Sequence, residues 1–357
     1  MTVRLINFPL EGRASRYETR ASMLGLFIHF GPYSVYGCDD LTSTPAPQKR
    51  GAEWFLQRLL TAQAREADNR AKGVEDDPKK RFPIREGRWE GAVARFKDIH
   101  GEDDFATADS IKKAYFTHGG GGLPQTSEKA QAVVSSWFDL LERIGGKTLI
   151  FTAKHHDGWC MWPTKTTPLR TEVNWVELVK NEATRRDLQF GFYFSWYEFG
   201  KSCTVDFIEK TLLPQIRELV KYYPDIMWFD GSWEMKTVTA AKAVGKVCEG
   251  LQEKFIEFND RLHSKPGLVE IPPTFKTFEQ TFPVEVDEDT PIECLHTVGQ
   301  SWGHVNGSQR FKTGVELKAI LAQATEKGCF RMMFNIGPMG DGTIDPREAT
   351  PLVEAFA

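Results

Sequence analysis

Several apolar stretches in this chain end on groups that can do chemistry. "LGLFIHF" (24–30) carries His29 near its end, and "FTAKHHDGW" (151–159) carries His155 and His156 ahead of Asp157 and Gly158. "FGFYFSW" (190–196) contains Tyr193, and "IMWFDG" (226–231) sends Asp230 out of an apolar run directly into a glycine. "FIEFNDR" (255–261) finishes on Asn259, Asp260 and Arg261, while "TFKTFEQ" offers Glu279 and "PIECLH" offers Glu293. Carboxylates, imidazoles and a phenol are the groups of general acid–base and nucleophilic chemistry. Asp230 is the most telling of them. Taken alone it could cap a loop, but cationic and donating neighbours would hold it ionised, as a nucleophile requires.

The adjacent histidines raise a geometric question. Successive strand residues point to opposite faces, so His155 and His156 share one site only where the strand has ended. Asp157-Gly158 supplies such an end. Zinc is the alternative use of paired histidines, but its usual spacings are i,i+2 on a strand or i,i+4 on a helix, and "HHD" matches neither. No metal site is expected. The hydroxyls of a sugar suit this neutral polar set better, with Trp54, Trp159 and Trp302 as stacking faces.

The elements that must position these groups are strands alternating with helices. Strand-length apolar runs occur at 24–30, 148–152, 190–194, 226–229, 255–258 and 331–336, with weaker ones near 275–279 and 292–295. Helical periodicity is clear in 130–144, where Val133, Val134, Trp137, Phe138, Leu141 and Ile144 recur three or four apart, and again in 204–222, 238–252 and 315–327. Eight strands with crossover helices predict an α/β fold, a (β/α)8 TIM-like barrel over residues 1–357, whose chemistry sits at the C-terminal strand ends. The competing open sheet lacks its Gly-rich turn after the first strand. "GPMGDG" (337–342) follows the last strand and reads as a tight turn rather than a phosphate loop. A charged stretch at about 61–104 is expected to be a βα insertion that either covers the barrel mouth or is partly disordered.

Composition excludes several classes. With 45 basic and 49 acidic side chains the net charge is -4, too mild to imply nucleic acid or an anionic membrane as partner. No run approaches a membrane span, and the first residues lack the apolar core of a signal peptide. A cytoplasmic protein, or the mature form of a secreted or lysosomal one, is expected. Cys38, Cys160, Cys203, Cys248, Cys294 and Cys329 include no C-x-x-C pair and are expected to be buried free thiols. The sequence carries no signature of oligomeric state.

With these residues placed, the chain resembles the retaining α-L-fucosidases of glycoside hydrolase family 29. The likeness runs through "LGLFIHFGPYSVYG", "EWF" (53–55), "FTAKHHDGWCMWPTKTT", "LQFGFYFSW", "IMWFDG", "FNDR", "SWGH" (301–304) and "MFNIGPMGDGTI" (333–344). It implies a retaining, exo-acting α-L-fucosidase releasing L-fucose from fucosylated oligosaccharides or glycoconjugates, with no cofactor or metal. Asp230 falls at the family's nucleophile. His29, Glu53, Trp54, His155, His156 and Tyr193 fall where the family grips the fucose hydroxyls. Arg261 matches an arginine after the fifth strand, and Trp302 an aromatic beneath the sugar. For the acid/base the resemblance favours Glu279, with Glu285 and Glu293 as rivals. On this reading Lys154, His155, His156 and Asp157 together form a hydrogen-bonding wall for one pyranose. A β-sandwich often follows the barrel in this family; here "REATPLVEAFA" reads as the last barrel helix, so the barrel is expected without it. The alternative is a fucose-binding barrel that has lost catalysis.

Overall fold

The computed structural model describes residues 24–37, 51–71, 88–265, 267–284, 290–307 and 309–357. Its centre is an all-parallel sheet of β1 (Leu24–Ile28), β2 (Thr148–Lys154), β3 (Gln189–Ser195), β4 (Ile226–Asp230), β5 (Glu257–Phe258), β6 (Lys276–Glu279), β7 (Ile292–Thr297) and β8 (Arg331–Ile336). The order is β5-β4-β3-β2-β1-β8-β7-β6. The two end strands meet through a parallel bridge between Asn259 and Phe275. Beside it, Thr274 N donates to Phe258 O (3.0 Å) and Thr277 N to Asp260 Oδ1 (3.1 Å). The sheet thus curls into the expected TIM-like barrel, with its thinnest seam between β5 and β6. Strand β5 is shorter than its apolar run suggested, because Phe255 takes a left-handed turn (φ 55°) and is exposed.

Strict alternation sorts the strand residues. In β1, Phe27 points into the barrel while Leu26 and Ile28 pack outward; in β4, Ile226 and Trp228 point in while Met227 and Phe229 pack outward. The inner layer is completed by Ile150, Tyr193, Phe275, Leu295 and Met333, with Trp302 lying on it. The same parity carries Asp230, two residues beyond Trp228, to the inner rim.

Crossover helices cover the outside. After β1 come α1 (Pro32–Tyr36), α2 (Phe55–Ala71), α3 (Arg88–His100), α4 (Ala108–Gly122) and α5 (Ser127–Arg143). Then α6 (Trp175–Arg186) follows β2, α7 (Leu213–Val220) follows β3, α8 (Val238–Glu253) follows β4, α9 (Gly314–Glu326) follows β7, and α10 (Pro346–Phe356) follows β8. Helix α5 starts where the Thr126 hydroxyl accepts from Lys129 N, and buries Val134, Trp137, Phe138 and Leu141 as their spacing requires. Among the described residues no helix joins β5 to β6 or β6 to β7, so the helical ring is incomplete there. Residues 262–274 contain Pro272 and Pro273 and no apolar helical period, which accounts for the first gap.

The described parts of the charged insertion are largely helical. They lie in α2 and α3, which share a second core with α4: Phe55, Leu59, Phe96, Phe105, Ile111 and Tyr115 are buried together, with Trp54 and Tyr197 packed against them. Residues 72–87 lie outside the described residues. Cys160, Cys248, Cys294 and Cys329 are buried free thiols as expected, Cys203 is half-buried, and Cys38 lies outside the described residues. "GPMGDG" is a turn, closed by Gly342 N donating to Met339 O at 2.8 Å, with Gly342 at φ 85°. No described helix is long and apolar enough to cross a membrane.

Candidate active site

A recess opens at the C-terminal ends of the strands. It is lined by His29, Glu53, Trp54, His155, His156, Tyr193, Asp230, Arg261, Glu279 and Trp302, the ten residues to which the resemblance gave catalytic or sugar-binding places, together with Trp228, Trp233 and Leu295. They arrive from six strand ends and from the loops after β1 and β7.

Two carboxylates meet around one guanidinium. Arg261 Nη1 lies 2.9 Å from Glu279 Oε1 and 3.5 Å from Asp230 Oδ1. Asp230 also accepts from the Tyr193 hydroxyl (2.9 Å, Oδ2) and from Gly231 N (2.7 Å, Oδ1), so donors surround it. Among the described residues the guanidinium is the polar partner that Glu279 meets. Burial pushes its pKa up to about 7, Arg261 pulls it down and the Asp230 charge raises it further; burial prevails. A carboxylate ringed by hydrogen-bond donors beside one whose burial favours the proton is the arrangement that acid–nucleophile pairs need.

The histidines are held as hydrogen-bond partners. His29 Nδ1 contacts Asn335 Oδ1 at 2.5 Å, while Asn335 Nδ2 donates to Trp302 O at 2.8 Å. With the amide NH2 committed to that carbonyl, the amide oxygen faces His29, so Nδ1 carries the hydrogen and Nε2 presents a lone pair. Burial lowers the His29 pKa to about 3, which keeps the ring neutral. His156 Nδ1 lies 2.6 Å from Ser195 Oγ. That hydroxyl already donates to Tyr197 O (2.7 Å), so the imidazole donates to it and turns Nε2 toward Asp230 Oδ2, 3.5 Å away. His155 stacks on Tyr193, with ring centroids 5.4 Å apart, and its Nδ1 is buried with no hydrogen-bond partner among the described residues. Glu53 shares this feature: Oε2 accepts from Gly303 N (3.2 Å) while Oε1 is buried and has no partner among the described residues. Burial raises the Glu53 pKa and burial drives that of His155 well below its usual value. Buried polar atoms left open in this way are costly unless a polar ligand completes them.

Three expectations need correction. Of the proposed four-residue wall, only the histidines line the recess. A bulge between Thr152 and Lys154 breaks the alternation of β2 and turns Lys154 into the outer layer, where Nζ pairs with Glu198 (2.9 Å) above the Phe194 ring. Asp157 is buried behind the site and accepts from the Tyr115 hydroxyl and Trp159 N. Trp159 is not a sugar face either, since it stacks on Phe116 and takes no part in the recess. Glu293, a rival for the acid, is fully buried and bound to Arg331 Nε (2.6 Å), Trp228 Nε1 (2.8 Å) and the Thr277 hydroxyl (3.3 Å). Its place is structural. Glu285 lies outside the described residues.

Sequence reasoning missed Asn335, Ser195, Trp228 and Trp233. Alternation could have found Trp228, two residues before Asp230. Asn335 and Ser195 act through partners remote in sequence and carried no local signal. Among the described residues no group of three His, Cys, Asp or Glu is arranged to hold a metal ion.

With this geometry in place, comparison with known proteins decides the family. The family profile described as "Alpha-L-fucosidase" matches residues 126–355. This chain belongs to the α-L-fucosidase family. The family's curated members include the tissue alpha-L-fucosidase of Rattus norvegicus, 26% identical over 236 residues, covering 59% of this chain and 38% of that protein. A putative alpha-L-fucosidase of Caenorhabditis elegans is 32% identical over 110 residues, covering 25% of this chain and 22% of that protein. The matches thus span well under half the length of these relatives. The family's barrel is also recovered in solved structures. The crystal structure of Thermotoga maritima alpha-fucosidase aligns with a TM-score of 0.67 at 24% identity, over 94% of this chain and 71% of that one. A GH29 alpha-L-fucosidase from Bacteroides thetaiotaomicron aligns with a TM-score of 0.65 at 18% identity, over 95% and 72%. At these identities the likeness is one of fold.

Proposed function

We propose that this protein is a retaining, exo-acting α-L-fucosidase that removes terminal L-fucose from oligosaccharides or glycoconjugates. The observation that carries the reading is the convergence of Asp230 and Glu279 on one Arg261 Nη1 within a recess of neutral hydrogen-bonding groups. Two carboxylates that both reach one guanidinium nitrogen, at 2.9 and 3.5 Å, are close enough to be compatible with the roughly 5–5.5 Å separation of retaining pairs. Asp230 attacks the anomeric carbon and the glycosidic C–O bond breaks, while Glu279 gives its proton to the departing oxygen. Arg261 then stabilises the carboxylate that Glu279 becomes. In the second half, Glu279 takes a proton from water, which displaces Asp230 and releases fucose with its starting configuration. The Bacteroides relative has been trapped as a covalent intermediate with 2-fluoro-fucosyl fluoride, in keeping with this route.

Binding follows from the open valences of the site. His29 Nε2 and Glu53 Oε1 accept from sugar hydroxyls, and His155 supplies a further ring nitrogen. Trp228, Leu295 and Trp302 give the apolar surface that a C5 methyl group needs. Such a surface rejects an added hydroxyl only weakly, by roughly 10²-fold, so L-galactosides should be slow substrates rather than inert ones.

The test is hydrolysis of an aryl α-L-fucoside by the wild type and by Asp230→Gly, with and without azide. Wild-type turnover, loss in the variant and recovery as β-fucosyl azide are expected. A wild type that binds fucose without turning over any fucoside would instead favour a binding protein.

A further inference from the structure

We infer that Trp233 forms a second subsite, a stacking platform outside the fucose recess for the pyranose ring to which fucose is attached. This rests on the fucosidase reading and adds to it a preference for a sugar as leaving group. Trp233 stands in a single 3-10 turn, Ser232–Glu234, immediately after Asp230. Gly231 makes that turn with φ 77°, and a Cβ there would come within 2.7 Å of Tyr197 N, so the chain has little freedom to carry the indole elsewhere. The ring is braced from the side by edge contacts to His156 (centroids 5.4 Å) and Tyr197 (5.9 Å).

Exposure around the recess rises toward this side. His29, Glu53, His155, His156, Tyr193, Trp228 and Leu295 are buried, and Trp54 and Trp302 are half-buried. Arg261 and Glu279, after β5 and on β6, keep about a quarter of their side chains accessible (27% and 26%), and Trp233, after β4, is the most exposed of the described lining residues at 39%. The sugar enters with its reducing end toward the proton donor, so the leaving group departs over this open arc of β4, β5 and β6. A braced, partly exposed indole there offers a flat apolar face to the C–H side of a pyranose, while the polar groups that read fucose lie deeper.

The experiment compares two substrates that differ only in what leaves. α-L-Fucosyl fluoride has a single-atom leaving group and cannot use a platform; an α-L-fucosyl-galactose disaccharide can. Trp233→Ala should lower kcat/KM for the disaccharide roughly 3–10-fold, as expected for one lost aromatic stacking contact. Its fluoride hydrolysis and its inhibition by free fucose should change by a clearly smaller factor than the disaccharide rate. Trp233→Leu, which keeps apolar bulk but has no flat face, should repeat the loss, and Trp233→Phe should restore most of it. Equal losses on both substrates in the Ala and Leu variants would overturn the proposal, because Trp233 would then be shaping the fucose recess. So would an unchanged disaccharide rate. A wild type inert on fluoride and disaccharide alike would instead sink the fucosidase reading beneath it.

Discussion

Replacing Arg261 with Gln should move the basic limb of the pH profile upward. Glu279 works as an acid only while protonated, and its pKa of about 7 reflects burial opposed by Arg261. A positive charge favours the carboxylate, so its removal leaves Glu279 protonated to higher pH. The size follows from the geometry. At an effective dielectric of about 20, opposite charges near 4 Å attract by about 4 kcal/mol, equivalent to about 3 pH units. The 2.9 Å contact would exceed this in a dry site, but about a quarter of each side chain meets solvent, which weakens it. A rise of roughly one to three pH units is expected, the range seen for carboxylates beside arginine. The assay is kcat/KM against pH on a fucoside with a poor leaving group, such as phenyl α-L-fucoside. In the wild type the rate should fall as pH rises through about 7, and in Arg261→Gln the fall should come later, on a lower plateau. A limb that stays in place or moves down would refute the assignment of Glu279 as the acid held against Arg261.

Three further outcomes are expected. Glu293→Ala should lower stability by about 3 kcal/mol in urea unfolding, the low end for a broken buried ion pair because Arg331 keeps Glu257 at 2.9 Å; the basic limb should move only slightly, and downward, because the Glu293 charge adds a small push to the Glu279 pKa. Asn335→Leu should raise the inhibition constant for fucose and cut kcat/KM roughly 10-fold, since the hydrogen bond that sets the His29 tautomer is worth about 1–1.5 kcal/mol. Prolonged treatment with EDTA should leave kcat/KM unchanged, and a loss restored by a divalent metal would contradict the two-carboxylate chemistry proposed here.

Much of the site was legible because a barrel places chemistry by a local rule. A continuous apolar run that stops on a polar residue and a turn gives a rim position, and that rule alone places His29 and Asp230. The helices were legible for the same kind of reason, as 3.6-residue periodicity is a property of the strand of sequence itself. What failed depended on departures from regularity. The bulge in β2 sends Lys154 outward, although simple parity from Ile150 would have sent it in. Among the described residues no crossover helix flanks β6, and the two-residue β5 shows how a left-handed residue can cut an apolar run short.

The choice between Glu279 and Glu293 marks the boundary most clearly. Both stand on strands, and parity points both toward the barrel interior. Their register separates them: Glu279 lies opposite Leu295, whereas Glu293 lies opposite Thr277, one layer deeper. At that depth Arg331 and Trp228 claim Glu293, and one layer higher Arg261 claims Glu279. The residue types, their strand ends and the turns that expose them are local properties, so the sequence alone determined them. Depth within the barrel, the tautomer of His29 set by Asn335 306 positions away, and the pairing of two carboxylates on one arginine depend on long-range register and burial. Only the closed sheet could decide these, because a carboxylate's proton affinity and partners are set by what packs around it rather than by its neighbours in the chain.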